Sequence, residues 1–181
     1  MESIKQIFRI GNGPSSSHTM GPKRAAEMFL ARNREVDSFR VTLYGSLAAT
    51  GRGHMTDVAI KSVLEPVAPL EIAWKPEVFL DFHPNGMLFE SLKADGSVIQ
   101  AWTVYSVGGG ALASDDLSDP QPEHVYGMST VSEIQQWCDK QGGSYWEYVQ
   151  QCEGDEIWDY LEEVWRVMVD AVHHGLETEG I

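Results

Sequence analysis

The alternation of hydrophobic and polar residues predicts a sheet in the first 110 residues of the chain. The segment FRVTLY, residues 39–44, places its three apolar residues on one side, as a half-buried strand does. Two alternating runs within residues 87–109 flank Asp95-Gly96, a dipeptide that type I′ turns favour, and therefore predict a β-hairpin. The apolar run EVFLDF, residues 77–82, predicts one further strand.

The spacing of apolar residues also predicts two helices that cover one face of this sheet. The first should begin near Ser17 or Thr19 as its cap, with Pro22 in the first turn, where a missing N–H is harmless. Its apolar side is formed by Ala25, Met28, Phe29 and Ala31. Residues 55–64 predict the second helix, which Pro66 ends. Helices packed against an antiparallel or mixed sheet define an α+β fold.

From residue 129 onwards the pattern becomes helical, after a loop rich in Gly, Pro and Asp at residues 108–127. The last of three predicted helices carries an apolar stripe of Ile157, Leu161, Val164, Trp165, Met168 and Val172. We therefore predict a domain at residues 1–128 and a helical extension at residues 129–181. A stripe of this kind belongs to a core or meets another domain or subunit, and it makes a homodimer plausible.

The charge of the chain narrows its partners. Acidic residues number 27 against 13 basic ones, a net charge of −14, which argues against nucleic acid and anionic membranes as partners. The segment before residue 35 is locally basic, through Lys5, Arg9, Lys23, Arg24, Arg32 and Arg34. An anionic small molecule could therefore bind at that end.

Cysteine usage and the absence of apolar runs indicate a cytoplasmic location. The sequence shows no signal-peptide core and no run of 18 apolar residues. Its two cysteines, Cys138 and Cys152, cannot build a disulfide framework, so a reducing compartment is expected. Their spacing matches no zinc or iron–sulfur pattern.

The densest candidate site is GNGPSSSHTMGPKRAAEMF, residues 11–29. Ser15, Ser16, Ser17 and His18 stand at the start of the first predicted helix, where unsatisfied N–H groups and the helix dipole attract carboxylate or phosphate. A simple capping turn is the alternative, although capping requires one hydroxyl and no histidine. The segment lacks the lysine of a phosphate loop, and the chain has no serine-hydrolase elbow.

A second candidate is TGRGHMTDVAI, residues 50–60, in which glycines precede His54. A histidine whose backbone can approach substrate closely suits a general base, while Thr56 and Asp57 stand where the second helix would begin. The alternative is a strand-to-helix turn with an exposed histidine. A third possibility is a metal site formed by His18, His54 and Asp57. The segment HPNG, residues 83–86, alone indicates only a turn.

Taken together, these motifs resemble a known family. GPSSSHTMGPKRAA, YGSLAATGRGHMTD, FHPNGMLFE and YSVGGG occur in an order and spacing similar to those of the β domain of iron–sulfur-dependent L-serine dehydratases, also called L-serine ammonia-lyases. The tail YWEYVQQCEGDEIWDYLEEVWRVM also resembles the stretch that leads from that β domain towards the catalytic α domain. The resemblance covers essentially the whole chain.

The resemblance implies a lyase that converts L-serine to pyruvate and ammonia. In this family a [4Fe–4S] cluster binds the substrate hydroxyl, so the chemistry further needs donors for the carboxylate and a base of near-neutral pKa. Carried onto this sequence, Ser15, Ser16, Ser17 and His18 would hold the carboxylate. His54 would be the base or its partner, with His18 also catalytic and Thr56 nearby in the substrate site.

One departure from the family is large. The cluster ligands are cysteines of the α domain, which this sequence lacks, and Cys138 and Cys152 match none of them. We therefore expect no metal ligands in this chain and no turnover without an α domain or subunit. The domain is also similar to the allosteric substrate-binding domain of phosphoglycerate dehydrogenases. A regulatory anion-binding or amino-acid-binding module without catalytic residues is thus the alternative function.

Overall fold

A computed structural model describes residues 1–33, 35–114 and 124–180. Arg34 of the basic segment and residues 115–123 of the predicted acidic loop lie outside the described residues. The chain divides into two compact units. Residues 11–119 are called the sheet unit here, and residues 1–10 with 120–181 the helical unit. The predicted domain boundary after residue 128 stays a prediction.

The sheet unit contains one five-stranded sheet. Its strands are β1 (Ser38–Tyr44), β2 (Leu70–Lys75), β3 (Gly86–Leu92), β4 (Val98–Gly108) and β5 (Ala111–Ala113). They lie side by side in the order β2-β1-β3-β4-β5. β1 and β2 are parallel, and the other neighbours are antiparallel. The sheet is therefore mixed, and the predicted α+β class is confirmed.

Three helices accompany the sheet: α1 (Gly21–Arg32), α2 (Gly45–Thr50) and α3 (Thr56–Leu64). α2 and α3 make the crossover that parallel pairing of β1 and β2 requires. α1 packs against α3 and against β3, β4 and β5. The resulting core is dominated by fully buried aromatic and aliphatic side chains, among them Phe29, Phe39, Val41, Leu43, Phe89 and Val104. The predicted inward side of β1 and the apolar side of α1 both contribute to it.

The strand predicted at residues 77–82 is wrong, because this segment forms turns and irregular backbone between β2, which ends at Lys75, and β3, which begins at Gly86. Pro76 follows β2 directly and has no N–H for further pairing. The side chains of Phe79 and Phe82 are largely exposed, at 65% and 63% of their surface. The prediction relied on the apolar composition of this segment, which does not show whether a neighbouring strand is there to pair with it.

The hairpin prediction is confirmed, but its turn differs. β3 and β4 pair antiparallel around Lys93–Ser97. Gly96 has a φ of +82°, whereas Asp95 does not have a positive φ, so the turn is not type I′. Bonds from Gly96 N–H to the Lys93 carbonyl and from Lys93 N–H to the Ser97 carbonyl fit a three-residue loop that ends in a left-handed glycine.

The first helix has Pro22 in its first turn, as predicted, but the cap is a different residue. A π-helical turn, Ser16–Met20, precedes α1 and is capped by Ser15, not by Ser17 or Thr19. The Ser15 side chain accepts a hydrogen bond from the His18 N–H. Three consecutive serines are each capable of capping, so the local sequence did not determine which one would do so.

The helical unit contains the three predicted helices, α4 (Val131–Gln141), α5 (Tyr145–Glu153) and α6 (Ile157–Glu177). Capping boxes open α4 at Thr130 and α5 at Ser144. The Glu153 carboxylate at the end of α5 accepts hydrogen bonds from the Ser3 hydroxyl, the Ile4 N–H and the Tyr126 hydroxyl, at 2.7–2.8 Å. Among the described residues, no helix combines the length and apolar character needed to span a membrane.

Candidate active site

The four motifs that carry the family resemblance meet at one end of the sheet. β1 ends there, β3 begins there and β4 ends there, because β3 runs antiparallel to both neighbours. The Ser46 N–H donates to the Pro84 carbonyl at 3.0 Å, and the Ser106 N–H donates to the Asn85 carbonyl at 3.0 Å. The second, third and fourth motifs are thus joined through their backbones.

The first motif approaches the fourth through Gly21. A Cβ placed on Gly21 would overlap the Ser106 hydroxyl, so α1 can start this close to β4 only with a glycine. The Arg24 guanidinium of the same helix donates to the Gly110 carbonyl at 3.4 Å. The start of α1 is therefore fixed against the end of β4.

At this end of the sheet the two candidate histidines are neighbours. The ring centroids of His18 and His54 lie 4.8 Å apart, with the rings tilted by 44°. Both side chains are partly exposed. A small ligand could therefore contact both imidazoles at once.

Two threonines hold the histidine backbones together. The Thr19 hydroxyl donates to the His54 carbonyl at 2.7 Å, and the Thr56 hydroxyl donates to the His18 carbonyl. Both threonines are buried, Thr56 completely. The separation of the two imidazoles is thus set by reciprocal side-chain-to-backbone bonds between their segments.

The His54 ring has a defined orientation. Its Nδ1 lies 3.0 Å from the Thr50 carbonyl oxygen, which can only accept, so Nδ1 carries the proton of the neutral ring. The Nε2 lone pair is then available to a ligand. The next residue, Met55, has a left-handed backbone with φ 57°, an uncommon conformation for a residue with a side chain. Such outliers concentrate at functional sites.

The His18 ring lies between two hydroxyls. Its Nδ1 is 2.9 Å from Ser17 Oγ, and its Nε2 is 3.4 Å from Ser46 Oγ. Partial burial lowers the pKa of His18 below the ordinary 6.5, the neighbouring His54 lowers it further, and a hydrogen bond to the Ser46 backbone opposes both. Relative to a free imidazole, the neutral form of the His18 ring is thus favoured.

The other predicted site residues have distinct places. Ser15 caps the turn, Ser16 is exposed and Ser17 contacts His18. The Thr56 hydroxyl is committed to the His18 carbonyl, an arrangement that favours positioning over substrate contact. The Asp57 carboxylate lies 3.7 Å from the Lys61 ammonium, an ion pair between neighbouring turns of α3. Their roles towards a substrate stay predictions.

Sequence reasoning did not indicate the contacts that several residues make at this end of the sheet, and it considered Thr19 only as a possible helix cap. Ser46 and Thr19 lie within the four motifs, but only the folded chain brings each to the opposite histidine segment. Asn85 and Ser106 are buried, and among the described residues Asn85 Oδ1 and Ser106 Oγ have no hydrogen-bond partner. The Asn85 side-chain amide donates to the Ser106 carbonyl at 3.2 Å. In the sequence, only the motifs HPNG and YSVGGG, which contain Asn85 and Ser106, indicated that these two residues belong to the site.

Potential metal ligands are not grouped in the part of the chain that the structure describes. No set of three or more His, Cys, Asp or Glu side chains there has a geometry that could hold a metal ion. Cys138 is buried within α4, and Cys152 is half-buried within α5. These residues do not fit an iron–sulfur cluster, nor do His18, His54 and Asp57 fit the metal site that their sequence positions suggested.

The fold and site thus define an α+β domain with a histidine pair at the end of a mixed sheet. The chain belongs to the serine dehydratase beta chain family, whose model matches residues 3–75 and 68–117. It is 31% identical to L-serine dehydratase 2 of Escherichia coli K12, over 100% of this chain and 50% of that protein. It is 33% identical to L-serine dehydratase of Streptomyces coelicolor, over 99% of this chain and 50% of that protein.

L-serine dehydratase of Haemophilus influenzae is 29% identical, again over 100% of this chain and 50% of that protein. The chain therefore spans about half the length of the curated relatives it matches. The other half of those relatives, with no counterpart in this sequence, is called the unmatched half below.

Proposed function

We propose that this chain is the β portion of an L-serine dehydratase, which converts L-serine to pyruvate and ammonia. The observation that carries the proposal is the His18–His54 pair, whose rings are 4.8 Å apart at the point where the four family motifs meet. The names of the relatives support L-serine as the substrate. An α domain or subunit, supplied by the unmatched half, is the proposed partner.

His54 is the proposed base. Because its Nδ1–H donates a hydrogen bond to the Thr50 carbonyl, the Nε2 lone pair of His54 can accept the Cα proton of serine. The Thr19 hydroxyl on the His54 carbonyl keeps the backbone in place during this transfer. The two electrons of the Cα–H bond then form the Cα–Cβ double bond as the β-hydroxyl leaves. The resulting aminoacrylate tautomerises, and water hydrolyses it to pyruvate and ammonia.

His18 and the serine hydroxyls are the proposed carboxylate site. Ser17 lies against the His18 ring, and the exposed Ser16 precedes it at the start of the helical turn. A carboxylate here raises the pKa of His18 by charge attraction and so draws a proton to the imidazole. Ser15 holds the turn that presents these groups, and Thr56 holds the His18 carbonyl.

The [4Fe–4S] cluster implied by the resemblance is assigned to the unmatched half, because the described residues of this chain offer no set of cluster ligands. The two halves of the enzyme therefore share the reaction. This chain holds the carboxylate and removes the Cα proton, and its partner assists the departure of the β-hydroxyl. The chain alone is expected to form no pyruvate.

The test is steady-state kinetics of the complete enzyme with variants in this chain. His54→Gln should lower kcat by about 10²- to 10⁴-fold, the usual contribution of a general base, with little change in KM. Ser17→Ala should raise KM more than it lowers kcat, because the donor is present in the bound substrate complex as well. His124→Gln is the matched control, because His124 is an exposed histidine outside both this site and α6.

A kcat for His54→Gln within a factor of two of the wild type would contradict the catalytic role. If L-serine still binds the chain under those conditions, the regulatory amino-acid-binding function becomes the better interpretation. Isothermal titration of the wild-type and Ser17→Ala chains with L-serine measures that binding directly.

A further inference from the structure

The second half of α6 carries an apolar stripe that no described residue of the helical unit covers. Trp165, Met168, Val172 and Leu176 follow one another at helical spacing, and between 52% and 79% of each side chain is exposed. The first three also line a shallow groove with Val169 and His173. A contiguous exposed apolar surface of this kind marks an interaction site.

The two halves of α6 differ in how they are supported. Ile157 and Val164, in the first half, are buried within the protein. From Trp165 to the end of the helix at Glu177, only Val169 is partly buried. A helical segment of about 13 residues is marginal in water without tertiary packing. The segment therefore needs a partner surface to be a stable helix.

We infer that this stripe is the docking surface for the unmatched half of the serine dehydratase relatives. The beta-chain family model ends at residue 117, yet the relatives match 98–100% of this chain, so α6 lies within the relatives and beyond that model. The unmatched half is about as long again as the matched one. The inference rests on the proposed function only for the identity of this partner, not for the role of either histidine.

The charge of α6 distinguishes this partner from a second copy of the chain. α6 as a whole carries five carboxylates and one guanidinium, and the stripe's own span holds two of those carboxylates, Asp170 and Glu177, with the guanidinium of Arg166. Two copies joined along the stripe would bring two acidic helices together, on chains of net charge −14 each. An apolar groove with a basic rim is the complementary surface, as in other complexes that bind an amphipathic helix in a groove.

Hydrogen exchange tests the assignment. The native dehydratase, isolated from its source with the unmatched half present, is compared with the 181-residue chain alone. Amides of residues 165–177 should exchange at least about tenfold more slowly in the native enzyme. Equal exchange rates in the two samples would overturn the inference. Protection that appears in the chain alone and grows with its concentration would instead assign the stripe to a second copy. A native protein made only of this chain would overturn the inference.

A substitution sharpens the result. Trp165→Ser in the native enzyme should abolish most of the protection of residues 165–177, because an exposed tryptophan is a typical anchor of an interface. Val131→Ser is the control, since Val131 is similarly exposed, at 71%, but lies at the start of α4 outside the stripe. Equal effects of the two variants would overturn the inference.

Pyruvate formation separates failure of this inference from failure of the proposed function. A native enzyme that forms pyruvate without protection of α6 refutes the docking surface alone. Protection of α6 in a protein that forms no pyruvate from L-serine refutes the proposed function alone.

Discussion

The sheet unit and the helical unit use their side chains in opposite ways. In the sheet unit, large apolar residues fill a continuous core, and polar atoms at one end of the sheet hold the histidine segments in place. The helical unit joins its segments through scattered hydrogen bonds, several of them to the Glu153 carboxylate, and leaves the second half of α6 exposed. The well-packed sheet unit can therefore hold side chains in the fixed geometry of a ligand site, whereas the exposed stripe of the helical unit offers a surface for a partner.

This difference indicates how function is distributed along the chain. Ligand chemistry needs rigid geometry, and the sheet unit provides it by close approaches at Gly21 and Gly45. Partner binding needs apolar area that is available without unfolding, and α6 provides it. The comparison predicts large effects from small changes at the sheet end and smaller, more local effects in the helical unit.

The largest effect is expected at Gly45. It has a φ of +47°, and a Cβ would lie 2.6 Å from the Pro84 carbonyl oxygen, so alanine meets both backbone strain and a backbone clash. Gly45→Ala should destabilise the chain by about 3 kcal/mol or more. Gly96→Ala is the matched control, because Gly96 has a φ of +82° but open space around it. It should cost about 1–2 kcal/mol. Urea unfolding measures both, and equal losses would contradict the close approach.

The loss of stability expected at Gly21 is smaller than at Gly45, because an added Cβ would meet the Ser106 side chain and not a backbone atom. Gly21→Ala should cost about 1–3 kcal/mol through overlap with the Ser106 hydroxyl. Ser106→Ala alone should be nearly neutral, since that buried hydroxyl has no partner among the described residues. The double variant should recover part of the loss, a coupling that a double-mutant cycle in urea detects. Additive losses would show that α1 and β4 are not in contact here.

In the helical unit, Glu153→Gln should cost about 2 kcal/mol, because an amide cannot accept all three hydrogen bonds of the carboxylate. Burial acts to raise the pKa of Glu153, but bonds from Tyr126, Ser3 and Ile4 hold it below its ordinary 4.5. The wild-type stability from this group is therefore present above pH 4.5 and lost as pH falls through the folded pKa.

Glu163→Gln is the control for this change, since Glu163 is an exposed carboxylate of α6. The difference in unfolding free energy between the two variants should narrow as the pH is lowered below 4.5. A difference that stays constant down to about pH 3 would contradict the role assigned to the Glu153 carboxylate.

The smallest effect concerns the charge of His18. Because burial and His54 lower its pKa in the folded chain, the unfolded chain binds the proton more tightly. Stability should therefore fall as pH drops below 6.5 and level off once the pH is below the folded pKa. His54→Gln should raise the pKa of His18, as followed by NMR of its ring protons. A His18 pKa above 6.5 in the wild-type chain would contradict the burial argument.

Much of the sheet unit could be predicted because its signals are local. The period of two in β1 and around Asp95-Gly96 reflects one buried face, and the structure bears this out. EVFLDF failed as a strand because apolar composition does not reveal whether a neighbouring strand exists. β2 was missed for the converse reason, since the pairing that defines Leu70–Lys75 comes from β1, some 30 residues away in sequence.

The candidate site was predictable only in part. Resemblance pointed to His18 and His54, and the structure places their rings together. The contacts of Ser46 and Thr19 had no local signal, because they join segments that are 28 and 35 residues apart in sequence. The identity of the cap among three serines depended on the π-helical turn, which no pattern of apolar residues indicates.

The reciprocal bonds of Thr19 and Thr56 have a consequence for engineering. Each threonine hydroxyl bonds to the main chain of the opposite segment, so the backbones of positions 18 and 54 are held together by bonds that involve neither imidazole. A carboxylate, a thiol or a second imidazole could therefore be introduced at position 18 or 54, at a separation that the two threonines fix in advance. A new two-residue catalyst could be built there without redesigning the surrounding backbone.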